Sequence, residues 1–282
     1  LIVFQWRAAW FGTLPNILFP LTCAISFGSW QFANSVEQEL SKFQLEAPEQ
    51  QTSIRSSDLD DLPTPVQEWL TYTNLLEEPP ATEIQLHQTG RMRTEQGGRW
   101  MSVSADQFIR IDEPGYIWVA SVRAAPLTFL SGCDKFVDGD GHMLIKLLSL
   151  IPVADATGET IDQGSLVRFL AEIVWAPSAA LSSYIEWQSI DPTTARATMS
   201  YRGINASARF EFTPDGRVTR ISADRFYDRP EGSTKERWTV DISPDSYRNF
   251  DGIQVPTRAS VTWQLDEPFT WYELSVTDLT RR

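Results

Sequence analysis

From about Thr82 to the end of the chain, apolar and polar residues alternate in short runs. Side chains of a β-strand point alternately to opposite faces, so this period of two predicts strands with one buried face. Turn sequences such as Asp138-Gly139-Asp140-Gly141 separate the runs, and links this short join antiparallel neighbours. The predicted strands are 84–87, 101–111, 116–122, 129–137, 142–150, 185–190, 195–201, 205–212, 218–226, 237–242, 258–265 and 271–279.

One long helix, over residues 162–177, interrupts the strands after roughly five of them. Asp162 is the predicted N-cap, and Pro177 is predicted to end the helix. At about 100° per residue, six apolar residues cover an arc of roughly 160°. They are Leu166, Val167, Phe169, Leu170, Ile173 and Val174.

The opposite side of this helix carries Arg168 and Glu172, with Trp175 at its margin. As an exposed i,i+4 pair, Arg168 and Glu172 would contribute only about 0.2–0.5 kcal/mol. If the pair is covered instead, its role is positional or functional.

A sheet of about a dozen strands must curl to bury one face, and a helix with a wide apolar arc fills the hollow of such a sheet. The predicted fold class is therefore α+β and mostly β. It consists of a large curved antiparallel sheet, an incomplete barrel, with the long helix in its concave side. A capping box with proline at the first helical position, 64–67, predicts a short helix at the start of this body.

The N-terminal region is predicted to anchor the chain in a membrane. No charge occurs between Arg7 and Glu37, a stretch long enough to span a bilayer core of about 30 Å. Pro15 and Pro20 would kink the span, which leaves a re-entrant segment, a buried soluble helix or a cleaved leader as alternatives. The predicted domains are a membrane-anchoring segment at 1–36, a polar linker at 37–62 and a β-rich half-barrel at 63–282. Since the chain begins with Leu1, further upstream residues and spans stay open.

Charge and cysteines exclude several classes of protein. The net charge of −13 would repel a phosphate backbone, so we expect no nucleic-acid partner. Cys23 lies in an apolar segment and Cys133 beside a turn, so we predict no disulfide between them. The residues before Cys23 do not fit a lipoprotein signal.

Three motifs then carry a resemblance. They are the run Leu62 to Thr73 (LPTPVQEWLTYT), Val137-Asp138-Gly139, and Asp162 to Pro177 (DQGSLVRFLAEIVWAP). In this order they resemble an uncharacterised bacterial family, a domain of unknown function whose members often carry membrane-spanning segments ahead of the domain. The run Tyr247 to Pro256 (YRNFDGIQVP) is similar, more distantly, to the end of periplasmic lipoprotein carriers. That second resemblance implies an incomplete barrel with an apolar cavity for acyl chains.

Few residues suggest catalysis or metal binding. His87 and His142 lie on different predicted strands without a second ligand at metal spacing, and the glycine-rich turn before His142 is a hairpin rather than a calcium loop. There is no nucleophile elbow, phosphate loop or activated thiol motif. We therefore expect no cofactor and no metal.

The candidate ligand-contact residues surround the long helix. They are Asp155, Asp162, Gln163, Arg168, Glu172 and Trp175. The leading hypothesis is a membrane-tethered, non-catalytic domain that binds a lipid or another apolar ligand in the half-barrel. The alternatives are a hydrolase or isomerase that uses Asp155, Asp162, Arg168 and Glu172, and an envelope scaffold that binds another protein. Some concave tryptophans would suit an acyl chain or a sugar ring. Arg7 before the span and Glu37 after it favour an extracytoplasmic body.

Overall fold

The computed structural model describes residues 6–43, 52–125 and 128–282. Its helices are α1 (Trp6–Phe43), α2 (Thr64–Tyr72) and α3 (Glu159–Glu172), and four 3-10 turns lie at Ser56–Leu59, Ile173–Trp175, Pro177–Leu181 and Pro244–Ser246. The strands are β1 (Glu83–Met92), β2 (Met101–Arg110), β3 (Gly115–Ala125), β4 (Thr128–Val137), β5 (Asp140–Leu147), β6 (Ile151–Thr157), β7 (Ile185–Asp191), β8 (Thr194–Tyr201), β9 (Ile204–Phe212), β10 (Val218–Tyr227), β11 (Thr234–Ile242), β12 (Tyr247–Phe250), β13 (Ile253–Pro256), β14 (Arg258–Gln264) and β15 (Phe269–Arg281).

Thirteen strands of the described residues form one antiparallel sheet in the order β6-β5-β4-β3-β2-β1-β15-β14-β11-β10-β9-β8-β7. A separate hairpin is formed by β12 and β13. Helix α3 contacts both β5 and β9, which lie far apart in this order, so the sheet curls around the helix into a half-barrel. The face that carries α3 is the concave face. The predicted fold class is confirmed in this respect.

The main core fills the space between the concave face, α2 and α3. All six apolar residues predicted to face inward on the long helix are buried, with exposed fractions of 2% or less. Trp69 of α2 is completely buried against Trp187 and Phe210 of the sheet. Burial of large apolar side chains contributes about 1.5–3 kcal/mol each. This packing holds α3 in the hollow.

The bounds of the long helix differ from those predicted. It begins at Glu159 after Gly158, whose φ of 106° suits glycine, so Asp162 is not the N-cap. The α-helix ends at Glu172, and Pro177 instead opens a later 3-10 turn. Six strands precede the helix, because residues 151–157 form β6 at the edge of the sheet. The alternation there is too short to separate from that of β5.

Helix α1 packs on the convex face over part of its length. Phe32, Val36 and Phe43 form a second buried cluster with Phe108, Ile117 and Cys133. Glu39 of α1 forms an ion pair with Lys135 of β4 at 2.7 Å. The helix therefore continues to Phe43, past the predicted start of the polar linker at residue 37, because Phe43 is buried against the sheet.

The N-terminal half of α1 leaves the sheet. Gly28 is buried close to Leu150, whereas residues 18–24 and 26–27 are exposed or nearly so, including Phe19 at 72%. In the described part of the chain, no helix has both the length and the apolar character needed to cross a membrane. The segment predicted to span a membrane is helical, as part of α1 (Trp6–Phe43). That it crosses a membrane stays a prediction.

Candidate ligand-binding site

Arg168 and Glu172 form the predicted pair, and the pair is covered. Arg168 Nε donates to Glu172 Oε1 at 2.7 Å, and Arg168 Nη1 donates to Asp134 Oδ2 of β4 at 2.6 Å. The side chains of Arg168 and Glu172 are only 15% and 13% exposed. One guanidinium thus holds two carboxylates between α3 and the concave face.

Two glutamines extend this contact across the sheet. Gln107 Nε2 donates to Glu172 Oε2 at 2.5 Å, and Gln88 Nε2 donates to Gln107 Oε1 at 3.1 Å. Gln88 Oε1 in turn accepts hydrogen bonds from Trp118 Nε1 and the Tyr272 hydroxyl, both at 3.2 Å. We call Asp134, Arg168, Glu172, Gln107 and Gln88 the polar network. Its polar groups satisfy one another, which is what buried polar groups require.

Arg168 stays charged at neutral pH. Burial acts to lower the pKa of Arg168, but Glu172, Tyr116 and Asp134 together raise it well above its usual value. Burial and Asp134 raise the pKa of Tyr116, whose ring lies 4.6 Å from the Arg168 guanidinium, and burial raises the pKa of Tyr272. Neither tyrosine ionises near neutrality. The network braces the helix against the sheet.

The other predicted residues lie apart from Arg168 and Glu172. Asp155 is exposed on β6 and contacts His142 Nε2 at 2.8 Å. Asp162 Oδ1 accepts a hydrogen bond from the Gly141 backbone N–H at 2.7 Å, so it joins α3 to β5. Trp175 Nε1 donates to the Pro256 carbonyl at 2.9 Å and is buried.

Of the carboxylates required by the hydrolase or isomerase hypothesis, the two on the helix, Asp162 and Glu172, do not converge. Asp162 and Glu172 are ten positions apart along the helix, which corresponds to about 15 Å. Each has its own partner, the Gly141 N–H for Asp162 and Gln107 and Arg168 for Glu172. Within the described ranges, no three histidine, cysteine or acidic side chains are grouped to hold a metal ion. Both histidines pair instead with single carboxylates, His87 with Asp106 and His142 with Asp155.

A line of half-buried apolar side chains crosses the concave face at one end of the strands. The pairing register places Met92 opposite Met101 and Leu130 opposite Leu147. Between these two pairs, the corresponding position of β3 is the buried Val122. All side chains of the line except Leu147 pack against the main core, and all remain partly exposed. We call this set the apolar row, and its members are Met92, Met101, Leu130, Leu147, Trp263 and Trp271.

Arg225 of β10 lies beside the apolar row on the same face. Its guanidinium is 4.8 Å from the ring centre of Trp238 and 5.9 Å from that of Trp263. Gly164 of α3 permits the approach, because a Cβ at that position would lie 3.3 Å from Arg225 Nη2. Burial, together with the charge of Arg168, lowers the pKa of Arg225.

Among the described residues, Arg225 has no carboxylate partner. Its Nε is buried without an acceptor, as are the indole nitrogens of Trp238 and Trp271. Three hydrogen-bond donors therefore lie at one end of the apolar row without protein acceptors. A buried guanidinium normally has an anionic partner, since desolvating an unpaired charge costs several kcal/mol. A molecule that would fit this region chemically carries an anionic group attached to an apolar chain.

The sequence interpretation did not identify Gln88, Gln107, Asp134 or Arg225. Each occupies an inward position of a strand whose neighbouring inward positions are small or apolar, as in Ile221, Ala223, Arg225 and Tyr227. The sequence signal that could have identified them is a polar residue at an inward-facing position of a strand whose other inward positions are small or apolar.

Comparisons with known proteins agree with the predicted family resemblance. Residues 52–274 match DUF6544, a family of unknown function, and no curated protein matches the chain. A putative outer membrane lipoprotein-sorting protein domain from Vibrio parahaemolyticus is similar at 8% identity and a TM-score of 0.38, covering 71% of this chain and 85% of that one. A DUF1329 family protein from Desulfovibrio piger is similar at 12% identity and a TM-score of 0.38, covering 71% and 86%. Because the family match extends over most of the chain, the protein belongs to the DUF6544 family of unknown function.

Proposed function

We propose that this chain is a non-catalytic domain that binds an anionic amphipathic ligand, of the fatty-acid or phospholipid class, on its concave face and is held at a membrane by α1. The observation that carries the proposal is the apolar row, which is partly exposed on a face otherwise filled by the main core.

The dimensions of the apolar row suit an acyl chain. From β14 through β15, β1, β2, β3 and β4 to β5 the row crosses six strand spacings. At about 4.8 Å each these give roughly 29 Å, more than the depth of one bilayer leaflet, about 15 Å. Each methylene group buried against such a surface contributes about 0.8 kcal/mol.

Arg225 supplies the recognition of charge. A carboxylate or phosphate placed against its guanidinium would accept charge-assisted hydrogen bonds, which are the stronger kind. The same group would provide an acceptor for Trp238 Nε1 or Trp271 Nε1. The ligand's head would thus lie at the Arg225 end and its chain along the apolar row.

The test is a titration of delipidated protein with a fluorescent long-chain fatty acid, together with native mass spectrometry of the protein as purified. We expect saturable binding that Met101→Glu reduces at least tenfold. A carboxylate in the apolar row would lose its hydration when the ligand covers it, and that loss costs free energy. The matched control is Ile190→Glu, an exposed apolar residue on β7 outside the row. Equal binding by both variants, or no saturable binding by the native chain, would refute the proposal.

The membrane part of the proposal rests on the projecting half of α1. Leu18, Phe19, Leu21, Phe27 and Trp30 are exposed, and Leu150, Ile151 and Val153 extend this apolar surface onto the body. Exposed apolar patches of this kind mark membrane or protein contacts. Arg7 before the segment and Glu37 and Glu39 after it favour an extracytoplasmic body.

Vesicle flotation tests this part. We expect the protein to float with phospholipid vesicles and a Phe19→Asp/Phe27→Asp variant to remain in solution, whereas Ile190→Asp floats normally. If the double variant floats as well as the native chain, the α1 segment does not hold the protein at the membrane.

The same exposed segment favours a second candidate, an envelope scaffold in which α1 binds another protein. Flotation distinguishes the two. A chain that never associates with vesicles, but whose α1 crosslinks to a defined envelope protein through Cys23, which is exposed, would support the scaffold instead.

A further inference from the structure

A second region of the molecule, on the convex face, is built differently from the rest of the sheet. The pairing of β9 with β10 ends at Ala208 and Ala223, although β9 begins at Ile204 and β10 continues to Tyr227. Beyond that point β10 pairs only with β11, and β9 only with β8. Strands β9 and β10 therefore part and leave a fork in the sheet.

A cavity of about 740 Å³ opens over this fork. Its walls are formed by outward-facing side chains of β8, β9, β10 and β11, and Gln163 of α3 reaches it from the concave side. Four buried apolar residues also line it, Met199, Ala206, Ala208 and Ala223. Gln163 Oε1 is buried and has no hydrogen-bond partner in the described structure. The hydroxyls of Ser200, Ser207 and Ser222 also line the cavity. Unlike the apolar row, this site is polar.

The charge of the cavity is opposite to that of the protein. Four cations line it, Arg196, Arg209, Lys235 and Arg237, with Asp224 as the one carboxylate among its lining residues. The whole chain carries a net charge of −13. A local excess of positive charge in so acidic a protein indicates an anionic ligand.

The cations are incompletely compensated. Asp224 pairs with Arg237 at 3.0 Å, and Arg209 lies 3.6 Å from Glu211 and 3.9 Å from Asp191. Arg196 and Lys235 form no ion pair with any described residue. Arg196 also lies directly opposite Arg209 on the neighbouring strand, and like charges in that position repel each other. An anion between the strands would relieve this repulsion.

We propose that the fork between β9 and β10 is a binding site for a phosphate-bearing polyol, either free or as the headgroup of a lipid. The phosphate would lie against Arg196 and Lys235, neither of which forms an ion pair with a described residue, although Lys235 Nζ lies 5.6 Å from the centre of the Phe226 ring. The serine hydroxyls and Gln163 Oε1 would bind the hydroxyl groups of the ligand, since Gln163 Oε1 requires a donor. The cavity is large enough for such a group and too large for a bare ion alone. This site is separate from the apolar row, and its existence does not depend on the proposed acyl binding.

The test uses glycerol 3-phosphate, inorganic phosphate, and vesicles of phosphatidylglycerol or phosphatidylcholine. We expect saturable calorimetric binding of glycerol 3-phosphate, or association with phosphatidylglycerol vesicles in preference to phosphatidylcholine. Arg196→Gln and Lys235→Gln should each weaken that binding roughly tenfold. The matched control is Arg123→Gln, an exposed arginine on the convex side of β3, which should leave it unchanged.

The different probes identify the source of the ligand. Binding of glycerol 3-phosphate alone indicates a free metabolite, and binding of the anionic vesicles alone indicates a lipid headgroup. The vesicle arm is repeated with the Phe19→Asp/Phe27→Asp chain so that contacts through α1 do not contribute. The inference is overturned if no phosphate-bearing probe binds, or if Arg123→Gln weakens binding as much as the two fork variants. If a fatty acid still binds the Arg196→Gln chain, the concave site is intact. A failure of the fork site is then distinguished from a failure of the proposed acyl binding.

Discussion

Two arginines on the concave side of the half-barrel have opposite surroundings. Arg168 lies between Asp134 and Glu172 and belongs to a hydrogen-bonded network that extends to Gln88. Arg225 lies against the rings of Trp238 and Trp263 and has no carboxylate partner in the described residues. The first arrangement is complete within the protein and braces α3. The second is incomplete, and an incomplete polar group on a partly exposed apolar surface is what a ligand site requires.

Removing the Arg168 charge should produce the largest change in stability. Arg168→Met would leave Asp134 and Glu172 covered without their cation. Removing one partner of a buried ion pair lowers the free energy of unfolding by about 3 kcal/mol or more. The measurement is the free energy of unfolding from urea denaturation. Arg123→Met serves as the exposed control, and an Arg168→Met midpoint equal to that of the control would show that the network does not brace the helix.

Gln107 tests whether the network acts as a connected unit. Gln107→Leu should lower the free energy of unfolding by about 1–3 kcal/mol, because Glu172 Oε2 and Gln88 Nε2 both lose their partner. A double-mutant cycle with Arg168→Met should show that the two losses do not add. If the two losses in the free energy of unfolding simply add, the glutamines and the ion pairs stabilise the fold independently and do not act as one network.

Cys133, beneath α1 on the opposite face, gives a comparison that depends on pH. Burial, with a contribution from Glu39, raises the pKa of this thiol from 9.0 to about 12. The folded state therefore retains a proton that the unfolded state loses above pH 9, so stability must fall as pH rises through that range. Between pH 8 and pH 10 the native chain should lose about 1 kcal/mol more than Cys133→Ala. Parallel pH profiles would mean that α1 does not cover the thiol.

Replacing Arg225 should have the smallest effect on stability. Arg225→Met removes a charge that has no carboxylate partner among the described residues, so we expect the free energy of unfolding to stay within about 1 kcal/mol of the native value or to rise. Denaturation in urea, alongside Arg168→Met, makes the comparison direct. A loss as large as that of Arg168→Met would show that Arg225 is a structural residue.

Much of this fold follows from local patterns. The period-two alternation predicts most strands, and the apolar arc of α3 predicts which side of the helix is buried. Asp162 shows the limit of such patterns. It had the chemistry of an N-cap, yet its carboxylate binds the backbone of Gly141, a contact that exists only once β5 lies against the helix.

The site was less predictable than the fold. Arg168 and Glu172 were identified because they are neighbours on one helix, whereas Asp134, Gln107 and Gln88 join them only through the curl of the sheet. Arg225 of β10 meets Trp263 of β14 across the intervening strand β11. Distances set by tertiary packing between residues far apart in sequence are not encoded in any short run.

The measurement that tests the proposed function most directly is the affinity of the delipidated protein for a long-chain fatty acid, compared among the native chain, Arg225→Met and Arg225→Lys. The proposal predicts saturable binding by the native chain, about a tenfold loss in Arg225→Met and partial retention in Arg225→Lys, with the free energy of unfolding of Arg225→Met nearly unchanged. Binding that is the same in all three chains, or absent from the native chain, would contradict it.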